Sequence, residues 1–433
     1  MDYSHLIYGY EKKVPTANGL KRYINFDNAA STPPFKEVME SLADEAQWYS
    51  SVHRGSGFKS RYTTEQYENA RRIIAGFIGA DPGHDVVIFT KNTTDSINKL
   101  SHYLSVLPGD TVVFTKIEHH SNELPWLKGK TICTGLQDGR IDLGELEQVL
   151  KVNRGRIKLV AVSGASNVTG YTPPIHTLAE MAHQAGAKII VDGAQLIAHR
   201  PVKLYPVNDP RHLDFLAFSG HKMYAPFGIG ILVGPRDVFA KKRPSQVGGG
   251  TVKGIGPSGI MWVDPPETEE AGSPNVLGAI AVAKAAQILE RIGWEALIQN
   301  ETALLSYTLN KLLHVPNLTL YQAGLKQHIG VISFNIKGIE HTEAAKYLAE
   351  NKGIGVRSGC FCARGYVQSL LKLSPGDLKT AQERIAGNSQ LPTPGMVRIS
   401  FGCYNKFSEV DCLIDALQEL CSNKRPRHSR FSG

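Results

Sequence analysis

The sequence predicts an α/β protein, with a large domain built on a mostly parallel sheet and a smaller α+β domain after it. Two observations carry that prediction. Through the first two-thirds of the 433 residues, short unbroken apolar runs alternate with helical patterns, as expected of strands buried on both faces and joined by crossover helices. The last third loses this rhythm and mixes isolated strand patterns with amphipathic helices.

The strand candidates, in order, are DVVIFT (85–90), DTVVFT (110–115), IKLVAVSG (157–164), AKIIVDG (187–193), DFLAFSG (214–220) and GIGILVG (228–234). Helix candidates at 64–80 and 175–187 lie among them, with apolar residues three and four apart. An Ala-rich helix over 277–294 leads into the smaller domain, where strands are expected at 317–322 and 329–336 and helices at 342–352 and 409–423. The expected division gives residues 24–285 to the large domain and 1–23 with 286–422 to the small one. Residues 423–433 read as a basic, solvated, disordered tail.

Composition excludes several classes. With 42% hydrophobic and 20% charged residues the chain reads as globular. Its formal charge is +8, but Lys424, Arg425, Arg427 and Arg430 of that charge sit in the tail. No basic stripe interleaved with aromatics marks the body, so a nucleic-acid partner is not expected. The start MDYSHLIYGYEKK lacks a signal-peptide pattern, and no apolar run approaches the roughly 18 residues of a membrane span. Six cysteines (133, 360, 362, 403, 412 and 421) do not make a disulfide framework in a chain of this length. A cytoplasmic protein without a membrane partner is the expectation.

Polar residues gather just beyond the strand candidates, where ligand sites form in open α/β sheets. His119, His120 and Asn122 follow one strand and Asn167 another; Asp192 and Gln195 end a third, and Ser219, His221 and Lys222 a fourth. Pyridoxal phosphate chemistry needs such a set. Lys222 offers an amine for a Schiff base. Asp192, closing an apolar strand, suits a carboxylate that keeps the pyridine nitrogen protonated. Thr93 and Thr94, at a strand-to-helix turn, suit a phosphate at a helix N-terminus, and Ser219 and His221 could approach the same group. His119 could lay a flat ring over the pyridine. Taken singly, each residue has a plainer reading. Lys222 could be solvated, Asp192 a turn former, Thr93 and Thr94 helix caps, and His119 with His120 a metal pair lacking a third ligand. Their shared order and register favours the cofactor. The run GIGPSG (254–259) satisfies G-x-G-x-x-G but follows no strand and contains Pro257, so no dinucleotide site is expected there.

Nine runs carry a resemblance to a known family: NFDNAAST, SVHRGSG, NTTDSIN, EHHSNELPW, SNVTG, VDGAQ, SGHKMYAPFGIGIL, EAGSPN and RSGCFCA. From about residue 24 to residue 415 the chain resembles the fold type I, class V aminotransferase-like enzymes, and within them the cysteine desulfurases. The resemblance implies a pyridoxal-phosphate-dependent transferase fold with a seven-stranded type of sheet. It implies that Lys222 holds the cofactor as a Schiff base, Asp192 its pyridine nitrogen, Gln195 its phenolic oxygen and His119 its ring face. Thr94, Ser219 and His221 would hold the phosphate, and Ser273 of EAGSPN would reach the phosphate of a neighbouring subunit in a homodimer. Asn167 and Arg398 would bind the carboxylate of a small sulfur-containing amino acid, the guanidinium as a bidentate clamp. No metal is implied.

Cys362 matches the family's nucleophile. Its reactivity calls for a lowered thiol pKa, for which Arg357 and Arg364 are the neighbouring cations, while Lys222 would shuttle the proton. In an extended hairpin Cys360 and Cys362 would point the same way, so a metal pair, a redox couple and a structural role stay open for Cys360. Between Cys362 and Arg398 the chain is longer than in the compact desulfurases, with a helix expected over 374–388 and a loop over 389–395. There SGCFC and PTPGMVRISFG resemble the amino-terminal domain of molybdenum cofactor sulfurases. That insertion is expected to cover the active-site mouth or to carry a partner surface. The expected activity converts L-cysteine to L-alanine, leaving a persulfide on Cys362 that passes to an acceptor protein. A C–S lyase, a class V aminotransferase and a non-catalytic scaffold are the alternatives.

Overall fold

All six apolar runs of the first two-thirds become strands of one seven-stranded sheet in the computed structural model. The structure describes residues 2–104, 109–240, 243–257, 259–321, 327–387 and 393–423. In chain order the strands are β1 (Asp85–Thr90), β2 (Thr111–Thr115), β3 (Lys130–Thr134), β4 (Ile157–Ser163), β5 (Lys188–Asp192), β6 (Phe215–Ser219) and β7 (Gly230–Pro235). Side by side they run β1-β7-β6-β5-β4-β2-β3. Every pairing is parallel except the two made by β7, which runs against its neighbours.

The strand that no apolar run announced is β3. It sits at the sheet edge with Lys130 and Cys133 exposed, so it never needed a continuous apolar sequence. Helices cover both faces of the sheet. Phe58–Ile78 ends at Gly79, whose φ of 67° closes the helix in the left-handed conformation. The Ala-rich helix Val276–Ile292 packs along it, burying Ala279, Ala283 and Ala286. Gly293 (φ 91°) then turns the chain into a further helix, Trp294–Leu312.

A second sheet follows, made of β8 (Leu318–Tyr321), β9 (Val331–Ile336), β10 (Arg357–Gly359) and β11 (Met396–Ser400). Its order is β8-β9-β11-β10 and all its pairings are antiparallel. It has its own core, in which Phe334, Leu348, Val397 and Leu413 are joined by Ile24 and Phe26 from near the N-terminus. The short strand Ile24–Asn25 pairs with Ile354–Gly355. The helix expected over 374–388 runs Pro375–Ala386, started by a capping box between Ser374 and Asp377. Residues 389–392 of the expected loop and 424–433 of the tail lie outside the described residues. The GIGPSG run falls in a hairpin of Val252–Gly256 with Gly259–Trp262, not at a strand-to-helix turn.

The parallel strands β1, β2, β4, β5 and β6 all finish at one edge of the large sheet. Residues 92–94, 119–122, 165–167, 192–195 and 219–222 leave the sheet there. The second sheet brings β10, the turn after it, and Arg398 of β11 to the same place.

Candidate active site

Every expected site residue except Ser273 lines a single cavity of about 300 Å³ at this edge. Ser273 is exposed on the stretch before helix Val276–Ile292 and is outside the cavity lining.

Lys222 ends the single helical turn Gly220–Lys222 that follows β6. The side chain is half-buried and lines the cavity. Burial lowers the amine pKa below the ordinary lysine value, opposed by Asp192 and reinforced by Arg398. A lysine so placed yields free amine more readily than a solvated one. Asp192 closes β5. Its Oδ1 accepts the Ala194 N–H at 2.9 Å, and no other donor among the described residues reaches the carboxylate. Burial raises its pKa, with the Ala194 bond and the Lys222 charge opposing. A buried carboxylate without a close cation is costly, and it is suited to a protonated ring nitrogen brought by a ligand.

Helix Thr93–Leu104 starts at the cavity. Asn92, not Thr93 or Thr94, caps that helix: its Oδ1 accepts the Asp95 N–H at 2.9 Å, and Asp95 Oδ2 accepts the Lys91 N–H at 3.0 Å. Thr93 meets Ser219 Oγ through both its N–H (2.8 Å) and its hydroxyl (2.6 Å). That pair locks the helix to the end of β6. Thr94 remains exposed to the cavity, its hydroxyl 2.7 Å from that of Ser121. Helix N-terminus, hydroxyls and the His221 ring are together suited to an anion. Burial and the neighbouring Lys222 charge hold His221 near a pKa of about 4, so its ring is neutral.

His119 follows β2. Its Nδ1 accepts the Ser121 N–H at 3.1 Å, which leaves the ring proton on Nε2. Burial, then the charges of Lys222, His120 and Arg398, push its pKa down to about 3. The ring is therefore a neutral, flat surface. Behind it, buried Glu118 collects four donors: the Thr115 hydroxyl (2.6 Å), the Asn122 amide (2.8 Å), and the Ser163 N–H (3.0 Å) and hydroxyl (2.7 Å). This carboxyl ties the loop bearing His119 to the end of β4.

The thiol sits on an unusual turn. Phe361 and Cys362 have φ of 54° and 55°, and the Ala363 N–H donates to Cys360 O at 2.9 Å. This is a four-residue turn with both central residues left-handed, where Asn-Gly is the usual occupant. The extended hairpin expected here does not form, and Cys360 and Cys362 do not point together. Cys360 packs against the large core, whereas Cys362 is exposed and lines the cavity. A shared metal or redox role for the two is thus not supported. The strained backbone is held by its carbonyls: Asn167 Nδ2 donates to Phe361 O at 2.8 Å and the His120 N–H to Cys362 O at 2.7 Å.

Arg398 is buried, with its guanidinium 4.8 Å from the centre of the Phe361 ring. It donates to Asn167 O (3.0 Å) and to Asp27 Oδ1 (3.0 Å). Burial lowers its pKa, against the attraction of Asp27. Arg398 Nε and Asn167 Oδ1 are buried and have no partner among the described residues. Gln195 donates to Ala29 O at 2.7 Å, which fixes its amide beside the cavity.

Asp27, Glu118, Ser121 and Phe361 also shape the site; they lie within the runs NFDNAAST, EHHSNELPW and RSGCFCA, but their partners are visible only in the folded chain. Of the two expected cations, Arg357 lines the cavity, whereas Arg364, the first residue of a helix, is outside its lining. Among the described residues of the insertion, none lines the cavity. Thr393, Pro394 and Arg384 border a separate cleft beside Asn335–Glu340.

Comparison with known proteins agrees with this geometry. A model of the class V aminotransferase family matches residues 24–413. A probable cysteine desulfurase from Pyrococcus abyssi is 35% identical over 93% of this chain and 95% of its own length. A cysteine desulfurase from Escherichia coli is 32% identical, over 91% of this chain and 92% of that one. A longer relative, a probable cysteine desulfurase from Mycolicibacterium paratuberculosis, is 33% identical, but the match spans only 56% of its length. Among solved structures, the apo cysteine desulfurase of Thermococcus onnurineus superposes with a TM-score of 0.81 at 33% identity, covering 93% of this chain and 95% of that one. These are families of pyridoxal phosphate enzymes. With the family model spanning most of the chain and such relatives matched nearly end to end, the chain belongs to the class V aminotransferase family, on its cysteine desulfurase branch.

Proposed function

We propose that the chain is a pyridoxal-phosphate-dependent cysteine desulfurase, converting L-cysteine to L-alanine and retaining the sulfur as a persulfide on Cys362. One observation carries this reading: a lysine amine whose pKa is lowered by its surroundings, a buried carboxylate without a close cation, and an exposed thiol line the same cavity. The residues fit the cofactor. Asp192 suits the pyridine nitrogen, the helix start at Thr93 and Thr94 with Ser219 and His221 suits the phosphate, and Lys222 suits the aldehyde. Bound there, pyridoxal phosphate would supply the electron sink that acidifies the substrate's Cα–H and weakens its C–S bond.

The chain's own groups do the rest. Arg398, with Asn167, orients the substrate carboxylate by charge-assisted hydrogen bonds. Lys222 accepts the Cα proton as free amine and returns it to carbon. The Cys362 sulfur attacks the substrate sulfur, so an S–S bond forms as the C–S bond breaks. Cysteine and thiol give alanine and persulfide, with atoms balanced and no external oxidant. His119, neutral and held by Ser121, walls the cavity without competing for that proton.

A homodimer belongs to the same proposal. Ser273 is exposed, away from the cavity of its own chain, and Ile255, Ile260 and Met261 stand exposed on the adjacent hairpin. Burying such a surface between copies would be favourable. Release of the sulfur to an acceptor protein is supported by the exposure of Cys362. The division at about residue 285 and a cytoplasmic location are retained as parts of this proposal.

The test is to incubate the cofactor-loaded protein with L-cysteine and measure alanine and pyruvate together. Alanine, lost in Cys362→Ser, is expected. Pyruvate that persists in Cys362→Ser would replace the desulfurase reading with a C–S lyase.

A further inference from the structure

We propose a second ligand site, for a borderline divalent cation such as Zn²⁺, formed by His84, Asp85 and His212 at the edge of the large sheet opposite the cavity. Among the described residues this is the group of three His, Cys, Asp or Glu side chains able to hold a metal, their ligand atoms lying within 4.8 Å of one another. Asp85 opens β1, whereas the active-site residues leave the other end of the strands. The proposal therefore stands apart from the desulfurase reading.

The independent observation is His212. It is 3% exposed, and its Nε2 is buried without a hydrogen-bond partner among the described residues. Its Nδ1 is 2.8 Å from Tyr205 O, so Nδ1 carries the proton and Nε2 the lone pair. A neutral imidazole that donates one N–H to a backbone carbonyl and keeps the other nitrogen bare has the disposition of a metal ligand. A buried nitrogen left without a partner is otherwise destabilising.

His84 stands across from it, the two rings nearly perpendicular at 79° with centroids 6.0 Å apart. His84 Nδ1 is 2.8 Å from Asp85 Oδ1, while Asp85 Oδ2 accepts the Asp81 N–H at 2.9 Å. A cation would displace the proton that His84 and Asp85 share, and the buried carboxylate would balance part of its charge. Two imidazoles and one carboxylate are a donor set for zinc, with a fourth position left for water. A cleft of about 350 Å³ beside the site, bordered by Asp209 and Lys188, gives that water room. Lys188 does not oppose the ion freely, being paired with Asp214 at 2.7 Å.

The site joins two pieces of chain. The segment 204–213 is closed by the Leu213 N–H donating to Leu204 O at 2.9 Å, and it leads directly into β6. A cation held by His212 on one side and by His84 with Asp85 on the other would fasten this segment to the start of β1. Its role is structural, bracing the sheet from the far edge.

Titration of the cofactor-loaded protein with ZnCl₂ tests the site, by calorimetry and by thermal unfolding. One saturable Zn²⁺ per chain is expected, with proton release and a raised Tm. Co²⁺ in its place should give the intense visible absorption of a four-coordinate ion. His84→Ala, at a half-exposed position, should weaken binding by about tenfold or more while leaving alanine formation in metal-free buffer unchanged. His212→Gln should do the same to binding, and His84→Ala keeps the test valid if that buried variant folds poorly. Absence of binding overturns the proposal. So does binding that survives His84→Ala but disappears in Cys362→Ser, which would put the ion on the thiol.

Discussion

The backbone N–H of His120 donates to the carbonyl oxygen of Cys362 at 2.7 Å, so the loop carrying the His119 ring and the turn carrying the thiol form one hydrogen-bonded unit. His120 extends the link, its Nε2 accepting the Arg364 N–H at 3.3 Å. On the other side Asn167 holds Phe361 O, and Arg398 holds Asn167 O. Parts of both sheets thereby fix the position of one sulfur.

The turn predicts an inverted stability order. Cys362 adopts φ 55°, a conformation costing an L-residue about 1 kcal/mol that glycine does not pay. Cys362→Gly should therefore be more stable than Cys362→Ala by about 1 kcal/mol. Both should be equally unable to form alanine. Paired thermal or urea unfolding of the two variants reads the difference, and a more stable alanine variant would mean the turn is not left-handed in solution.

Asp27 should separate orientation from charge in substrate binding. It accepts from Arg398 at 3.0 Å and lies 3.7 Å from Arg357, so it aims the guanidinium while competing with a substrate carboxylate for it. Asp27→Asn keeps an acceptor but removes the competing charge, and KM for L-cysteine should fall severalfold. Asp27→Ala removes both, so KM should rise about tenfold and stability drop by roughly 2 kcal/mol as the buried guanidinium loses a partner. Steady-state kinetics on both variants decides; KM moving the same way in each would refute the competition.

The sequence showed most of this architecture because burial writes itself in long apolar runs. The runs ending in Asp192 and Ser219 marked strands and the edge where they finish, and with it the residues of the cavity. Edge strand β3 escaped because Lys130 and Cys133 face solvent. The turn at 360–363 escaped for a different reason. Nothing in Cys-Phe-Cys-Ala favours positive φ, and the conformation is imposed by Asn167, far away in sequence, and by the backbone at His120. Asp27 and Glu118 were likewise silent, since a carboxylate's role depends on donors that only the folded chain brings near.

Glu118 offers a pH signature. Burial raises its pKa from 4.5 to about 7, against the four hydrogen bonds from Thr115, Ser163 and Asn122. A carboxyl with a raised folded pKa stabilises fully below its ordinary value and loses that contribution as pH rises through about 7. Glu118→Gln has no such titration, and its NH₂ would meet the Asn122 amide or the Ser163 donors. The variant should be less stable by about 1–3 kcal/mol at low pH, with the gap narrowing between about pH 5 and about pH 8. Melting temperatures across that range test it; a gap that stays constant would show the carboxylate is ionised throughout.

Asp192 should behave differently with and without cofactor. In the cofactor-free chain burial raises its pKa, so its contribution is present below the ordinary aspartate value and is lost as pH rises through the raised one. A protonated pyridine nitrogen beside it favours the charged form and lowers that pKa again. Cofactor-free wild type should therefore lose stability toward neutral pH relative to Asp192→Asn, which cannot ionise yet can still accept the Ala194 N–H. Adding pyridoxal phosphate should abolish that loss in wild type and do little for the variant, which should also form alanine far more slowly. Melting curves at about pH 5 and about pH 8, with and without cofactor, give four comparisons. If cofactor stabilised Asp192→Asn as much as wild type at both pH values, Asp192 would not be the partner of the ring nitrogen.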